Sequence, residues 1–160
     1  MNAIRKAFER CARSLSLRPC GPSTIVSRTR IRDGLTCEIK EGSWQITADL
    51  PVQLGGNGSA PTPGVFGRAA LGSSLAVRYM LRAARLHVPI TALEVEVQAD
   101  WDNGALLGPR WTPPADQDVR YIVTIKSTAP EHEVRRVVDE DEVHSRPGSR
   151  TVRIVSPSEV

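Results

Sequence analysis

The 160-residue sequence predicts an α+β domain in which helices are segregated from antiparallel strands. Segments with the alternating, β-branched pattern of strands come in two blocks, one before residue 51 and one after residue 90. Between the blocks lies a long Ala-rich apolar segment, residues 65–86, which is typical of a buried helix. Because the strands do not alternate one by one with helices, the order favours α+β over α/β.

The N-terminal segment Asn2–Leu17 predicts an amphipathic helix. Its apolar residues recur at helical spacing: Ile4, Ala7, Phe8, Cys11, Ala12 and Leu15. A Pro/Gly cluster at residues 19–22 then ends the helix. We therefore divide the chain into a helical extension, residues 1–22, and a main domain, residues 23–160.

The first block of strands predicts an antiparallel meander. Three segments have strand patterns: Thr24–Arg32, Leu35–Lys40 and Trp44–Leu50. Asp33-Gly34 between the first two is a hairpin signal. Glu41-Gly42-Ser43 provides the second turn.

A Gly/Pro loop, Pro51–Gly64, connects this meander to the long helix. Asn57-Gly58 and Pro61-Thr62-Pro63 favour tight turns and exclude regular structure. The helix is predicted over Val65–Leu86, and His87-Val88-Pro89 stops it.

The second block begins with a strand at Ala92–Ala99, where apolar and polar residues alternate. A long loop, Asp102–Asp118, separates it from a strand at Val119–Ser127. An acidic helix at Glu131–Val143 and a last strand at Thr151–Val155 complete the domain.

Composition excludes several classes of protein. No charge-free apolar run approaches the ~20 residues of a membrane span, since arginines interrupt residues 65–86. The N-terminal segment lacks the apolar centre of a secretory signal, so we expect cytoplasmic residence. Five basic residues cluster there: Arg5, Lys6, Arg10, Arg13 and Arg18. Without interleaved aromatic residues they indicate a solvated helix face, and we expect neither a nucleic-acid nor a membrane partner.

The cysteines and histidines do not form a metal-binding pattern. Cys11, Cys20 and Cys37 contain no CxxC motif, and the three histidines are scattered along the chain. Structural zinc sites need four ligands at short spacings. We expect no metal, no cofactor and, in a reducing compartment, no structural disulfide.

Five motifs occur in a characteristic order: Asp49-Leu50-Pro51, Gly55-Gly56, Pro61-Thr62-Pro63-Gly64, Glu94-Val95-Glu96-Val97 and His144-Ser145. Together they resemble the OsmC/Ohr family of thiol-dependent hydroperoxide reductases, over about Thr24 to Val155. The resemblance implies an OsmC-like fold, with antiparallel sheets, two central helices and an intertwined homodimer.

The resemblance also assigns site positions, and most of them have lost the family residue. Ser74 stands where the family has its reactive Cys, and Ser145 best matches the resolving Cys. Val65 stands where a Glu is expected at the start of the helix. Arg32, in the first hairpin, matches the Arg that assists the thiol. If the alignment holds, Ser74 and Ser145 face each other near the dimer interface.

These replacements remove the chemistry. Peroxide reduction oxidises a thiolate to a sulfenic acid, and a serine hydroxyl, which is not ionised near neutral pH, cannot replace it. We therefore expect a degenerate protein that keeps a pocket at the dimer interface. Arg32 would anchor a small apolar or acidic ligand there, with Val65 and His144 nearby. Trp101 and Trp111 bracket the loop segment Asp102–Arg110 and either roof this pocket or serve as core anchors.

Two other hypotheses stay open at this stage. The protein is an active hydroperoxide reductase if Ser74 is an engineered replacement of a cysteine. Alternatively, Gly72-Ser73-Ser74-Leu75-Ala76 approximates the G-x-S-x-G motif of serine hydrolases, with His144 as the base. That motif requires a strand before the serine and a helix after it.

Overall fold

A computed structural model describes residues 2–100, 117–139 and 149–155 of the chain. These residues form two compact units. The first unit is Arg18–Ala70, and the second combines Met1–Leu17 with Leu71–Val160. The predicted division at residue 22 stays a prediction.

The first unit contains a three-stranded antiparallel sheet in the order β1-β2-β3. The strands are β1 (Ser27–Asp33), β2 (Thr36–Glu41) and β3 (Trp44–Ala48). Gly34 and Gly42, with φ of 53° and 55°, form the two connecting turns. Glycine adopts this left-handed conformation without steric cost. The antiparallel order β1-β2-β3 confirms the predicted meander.

The first strand begins later than predicted, at Ser27, and the third strand ends earlier, at Ala48. The ladder begins where Ser27 pairs with Glu41, and β2 turns away at Gly42, so the residues before Ser27 have no strand to pair with. At the other end Cys37 pairs with Ala48. Asp49 then leaves the sheet and enters the loop.

The register of this sheet separates apolar from charged side chains. Ile39 pairs with Ile46 on one face. On the other face Arg28 lies opposite Lys40. Every residue of β1 is exposed.

The buried carboxylate of Asp49 organises the loop that follows β3. It accepts hydrogen bonds from the backbone N–H groups of Leu50 (2.8 Å), Asn57 (3.2 Å) and Ser59 (3.0 Å), and from the Ser59 hydroxyl (2.7 Å). The two Ser59 donors, with those of Leu50 and Asn57, hold the pKa of Asp49 at about 2, against its ordinary value of 3.8. Hydrogen bonds to the charged form favour that form.

The Gly55-Gly56 pair meets two different backbone requirements of this loop. Gly55 has a φ of 86° and follows a short 3₁₀ turn, Val52–Leu54. Gly56 is buried, and a Cβ there would lie 2.0 Å from the carbonyl oxygen of Leu50. A side chain is therefore excluded at residue 56 by direct overlap.

The N-terminal helix α1 covers Asn2–Leu17 and α2 covers Pro63–Leu86. α1 has the predicted bounds, and α2 ends where the sequence predicts. Proline is favoured at the first helical position, because its missing N–H has no helical partner there, which explains why α2 begins two residues earlier than predicted. In the second unit, Arg5 of α1 contacts His87 just after α2, with Nη1 3.3 Å from Nδ1.

The second unit contains a sheet in the order β4-β5-β6. Its strands are β4 (Ile90–Asp100), β5 (Gln117–Ser127) and β6 (Ser149–Val155), and α3 (Glu131–Asp139) lies between β5 and β6 in sequence. β4 and β5 are antiparallel, whereas β6 pairs parallel to β5. The sheet is thus mixed rather than purely antiparallel, since a crossover that contains a helix returns the chain in the same direction.

The core of the second unit forms where α2, β5 and α3 meet. Its fully buried residues include Tyr79, Val123, Ile125, Val134 and Val137. Gly72 allows α2 to approach β4 closely, because a Cβ there would lie 3.3 Å from Cγ2 of Val97. The α+β fold class that the sequence predicts is confirmed.

We predict that Asp49→Asn lowers the thermal midpoint by roughly 5 °C at neutral pH, because an amide cannot accept all four hydrogen bonds. Since the folded pKa lies below the unfolded one, the stabilisation is fully present above about pH 4 and is lost as the pH falls towards 2. Circular dichroism melts from pH 2 to 7 measure both effects. Asp33→Asn, at the exposed end of β1, is the control. Equal midpoints and equal pH dependence for both variants would contradict this role of Asp49.

We predict opposite effects for two glycine substitutions. Gly56→Ala should cost about 2–3 kcal/mol, because its methyl group overlaps the Leu50 carbonyl and the loop must move. Gly67→Ala should stabilise by up to ~1 kcal/mol, because residue 67 is helical and nothing lies within 4 Å of the added Cβ. Urea denaturation measures both values. A tolerated Gly56→Ala would show that the loop is not tightly packed.

Candidate functional site

Ser74 lies well inside α2 and its side chain is exposed. Its helix neighbours Leu75 and Tyr79 are buried in the core of the second unit. The chain is helical from Pro63 onward, so no strand precedes Ser74. The strand–turn–helix geometry of the G-x-S-x-G motif is therefore not present, and the hydrolase interpretation loses its structural basis.

The start of α2 carries no carboxylate. Val65 occupies the first turn with an exposed side chain, and the helix has no acidic residue in that turn. Along its whole length α2 contains four arginines and no Asp or Glu. A residue that could orient an arginine towards residue 74 is thus missing from the helix itself.

Arg32 lies on β1 and is paired with a neighbouring strand. Its Nε donates a hydrogen bond to Oε2 of Glu38 on β2, at 3.1 Å. The Arg32 side chain is 62% exposed and that of Glu38 35%. Exposed ion pairs contribute little, about 0–1 kcal/mol, so Arg32 can exchange Glu38 for another anion at small cost.

The predicted site residues are only partly described. Arg32 and Val65 belong to the first unit and Ser74 to the second, and their proximity stays a prediction. The other four lie outside the described residues: Trp101, Trp111, His144 and Ser145.

An apolar groove in the second unit was not predicted. It has a volume of about 540 Å³, within the range of small-molecule pockets. Its walls come from α1, α2 and β4, and include Ile4, Val77, Met80, Leu81 and Leu93. The signal in the sequence is the i, i+4 spacing of Val77 and Leu81, whose side chains are 59% and 41% exposed.

A second groove, in the first unit, is strongly basic. It has a volume of about 290 Å³, and its charged walls come from β1 and β2: Arg28, Arg30, Arg32, Glu38 and Lys40. Sequence reasoning singled out Arg32 alone. The signal that it missed is the alternation of arginine along a strand, which places all three on one face.

Arg120 forms a cluster of polar and charged side chains at the ends of β4 and β5. It donates to both carboxylate oxygens of Asp100, at 2.9 and 3.0 Å, and to Gln98, at 2.8 Å. The hydrogen bond from Arg120, and then its charge, hold the pKa of Asp100 below its ordinary value. The cluster ties the ends of β4 and β5 together.

All three cysteines are free thiols. Cys11 and Cys20 are exposed, and Cys37 is half-buried, with its sulfur 3.7 Å from the carbonyl oxygen of Leu35. Within residues 2–100, 117–139 and 149–155, no group of three His, Cys, Asp or Glu side chains is arranged to hold a metal ion. No helix in that part of the chain is long and apolar enough to cross a membrane.

Sequence comparison and structural comparison give different results. No protein-family model matches the sequence, and no curated protein matches it significantly. Among solved structures, an OsmC-like protein of Mycoplasma pneumoniae is similar, with a TM-score of 0.65 and 13% identity over 85% of this chain and 99% of that chain.

Two organic hydroperoxide resistance proteins are also similar in structure. The protein from Elizabethkingia anophelis has a TM-score of 0.55 and 12% identity, over 85% of this chain and 98% of that chain. OsmC of Legionella pneumophila has a TM-score of 0.52 and 13% identity, over 86% and 98%. The chain therefore has the OsmC-like fold over nearly the full length of these proteins.

Proposed function

We propose that this chain is a member of the OsmC/Ohr family that has lost thiol-dependent hydroperoxide reduction and binds a small ligand as a homodimer. The observation that carries the proposal is Ser74. In a chain with this fold, a serine occupies the position in α2 to which the sequence resemblance assigns the reactive cysteine. The structural likeness to hydroperoxide resistance proteins supports the family, and Ser74 argues against their chemistry.

Sulfur supports a peroxide chemistry that the oxygen of serine cannot. A thiolate attacks one peroxide oxygen, the O–O bond breaks, an alcohol leaves and a sulfenic acid forms. A second thiol then condenses with the sulfenic acid, which releases water and forms a disulfide. Serine has neither an accessible anion near neutral pH nor a reversible oxidised state. The missing carboxylate at Val65 and the Arg32–Glu38 pair point the same way.

Dimerisation is supported by apolar side chains that a single chain leaves exposed. In the first unit, Ile31 is 62%, Trp44 75% and Ile46 41% exposed. In the second unit, Val77 and Leu81 line the open apolar groove. Large exposed apolar patches on soluble proteins mark interaction sites. A second copy would cover them, and the groove at this interface would hold the small apolar or acidic ligand.

We also propose a cytoplasmic location. The three unpaired cysteines, two of them exposed, are typical of a reducing compartment.

The test of lost chemistry is a gain of function. We predict no turnover of an organic hydroperoxide with a dithiol reductant for the unmodified chain. Ser74→Cys should give slow turnover, and Ser74→Cys with Val65→Glu a faster one, because the added carboxylate orients an arginine towards the thiol. Ser73→Cys, one position along the same helix, is the matched control and should stay inactive.

Three results would contradict this proposal. Equal activity of Ser73→Cys and Ser74→Cys would show that residue 74 has no special environment. Turnover by the unmodified chain would overturn the loss of function, and its disappearance in Cys37→Ser would identify the thiol responsible. No gain in any variant would remove residue 74 from the site.

The test of assembly is light scattering at micromolar concentration. We predict an obligate dimer that buries well above ~2,000 Å². Val77→Glu should dissociate or unfold it, because a charge would enter the apolar interface. Ala69→Glu, at an exposed position of the same helix, should leave the dimer intact. A monomeric unmodified chain would refute the assembly.

A further inference from the structure

The basic face of the first sheet carries three arginines in a row. Arg28, Arg30 and Arg32 alternate along β1, and the ladder places Lys40 of β2 directly opposite Arg28. Alternate residues of a strand lie about 6.6–6.8 Å apart, so the Cα atoms of the three arginines span about 13 Å along β1. Their side chains, with Lys40, wall the groove of about 290 Å³.

This face concentrates the net charge of the protein. Among the described residues that line the groove, Glu38 is the one acid, and it contacts Arg32. The whole chain has 21 basic and 18 acidic residues, a net charge of +3. When the four basic residues and Glu38 are set aside, the remaining basic and acidic residues balance. The described residues that line the groove therefore carry a net charge of +3.

The repulsion between these basic side chains destabilises the folded sheet, which indicates that they have a role other than stability. Like charges directly opposite each other on neighbouring strands are destabilising, and Arg28 and Lys40 are such a pair. β1 is exposed along its length, so these arginines bury little apolar surface that would offset the repulsion. An anion in the groove would remove the repulsion between them.

We propose that this groove binds a small ligand that carries two or more consecutive phosphate groups. The planar guanidinium group matches a phosphate bidentately, and neighbouring arginines would engage neighbouring phosphates. The small volume suits a compact oligophosphate. Trp44 lies on the opposite face, in register with Glu41. None of the described residues that line the groove is aromatic, and single-stranded nucleic acid needs aromatic platforms. Arg32 also belongs to the proposed ligand site, whereas Arg28 and Arg30 do not, so replacing these two tests the groove separately.

The experiment is isothermal titration calorimetry with three probes: inorganic tripolyphosphate, ATP and orthophosphate. We expect tripolyphosphate and ATP to bind at about 50 mM salt and to weaken several-fold at about 200 mM. Orthophosphate should bind about tenfold more weakly, because it engages fewer cations. If ATP binds more tightly than tripolyphosphate, the ligand of the groove is a nucleotide. If it does not, the ligand is an inorganic oligophosphate.

The decisive variants change charge in two places by the same amount. Arg28→Gln with Arg30→Gln should weaken tripolyphosphate binding by about tenfold or more. Arg10→Gln with Arg13→Gln, on α1, removes the same charge and should change binding less than about twofold. Arg30→Lys keeps the charge but loses the bidentate guanidinium group. Its affinity for tripolyphosphate should therefore lie between those of the unmodified chain and the double variant.

A melting experiment distinguishes a binding role from a structural one. Without ligand, the double variant Arg28→Gln, Arg30→Gln should melt at the same or a slightly higher temperature, because a repulsion is relieved. A clear fall in its melting temperature would assign these arginines to folding and overturn the proposal. So would the absence of tripolyphosphate binding, an equal loss in the α1 double variant, or binding of duplex DNA without binding of tripolyphosphate.

Discussion

The Asp49 carboxylate is the centre on which the loop between β3 and α2 is built. It collects backbone donors from both sides of the Gly55-Gly56 turn and the hydroxyl of Ser59. The backbone N–H of Asp49 in turn donates to the carbonyl of Pro61, at 3.1 Å, just before α2 begins. A segment rich in Gly and Pro has few regular hydrogen bonds of its own. One buried anion supplies the acceptors that such a segment lacks.

Much of the fold could be predicted because its signals are local. The period of the apolar residues locates α1, and Gly34 and Gly42 mark the turns of the first sheet. The direction of β6 could not be predicted, because alternation along a strand is the same in parallel and antiparallel pairing. The extra residues of α2 depend on Pro63 as a first helical residue, which the sequence also allows as part of a turn.

The candidate site was harder to predict than the fold. Ser74 and Arg32 were identified through a resemblance in motifs, and a resemblance assigns only the positions that the family uses. Arg28 and Arg30 lie outside those positions, although their alternation on β1 was visible in the sequence. The meaning of that alternation depends on the register, which brings Lys40 opposite Arg28. Spatial pairing across strands is the step that a single sequence leaves open.

The position of β1 at the edge of its sheet gives the same arginines a second consequence. An exposed edge strand offers unpaired backbone groups, and any other edge can extend it by hydrogen bonding. Three cations on seven residues make such an addition electrostatically unfavourable when the incoming strand is another β1. The strand thus carries its own protection against edge-to-edge aggregation. Protection of the sheet edge and anion recognition thus depend on one set of side chains.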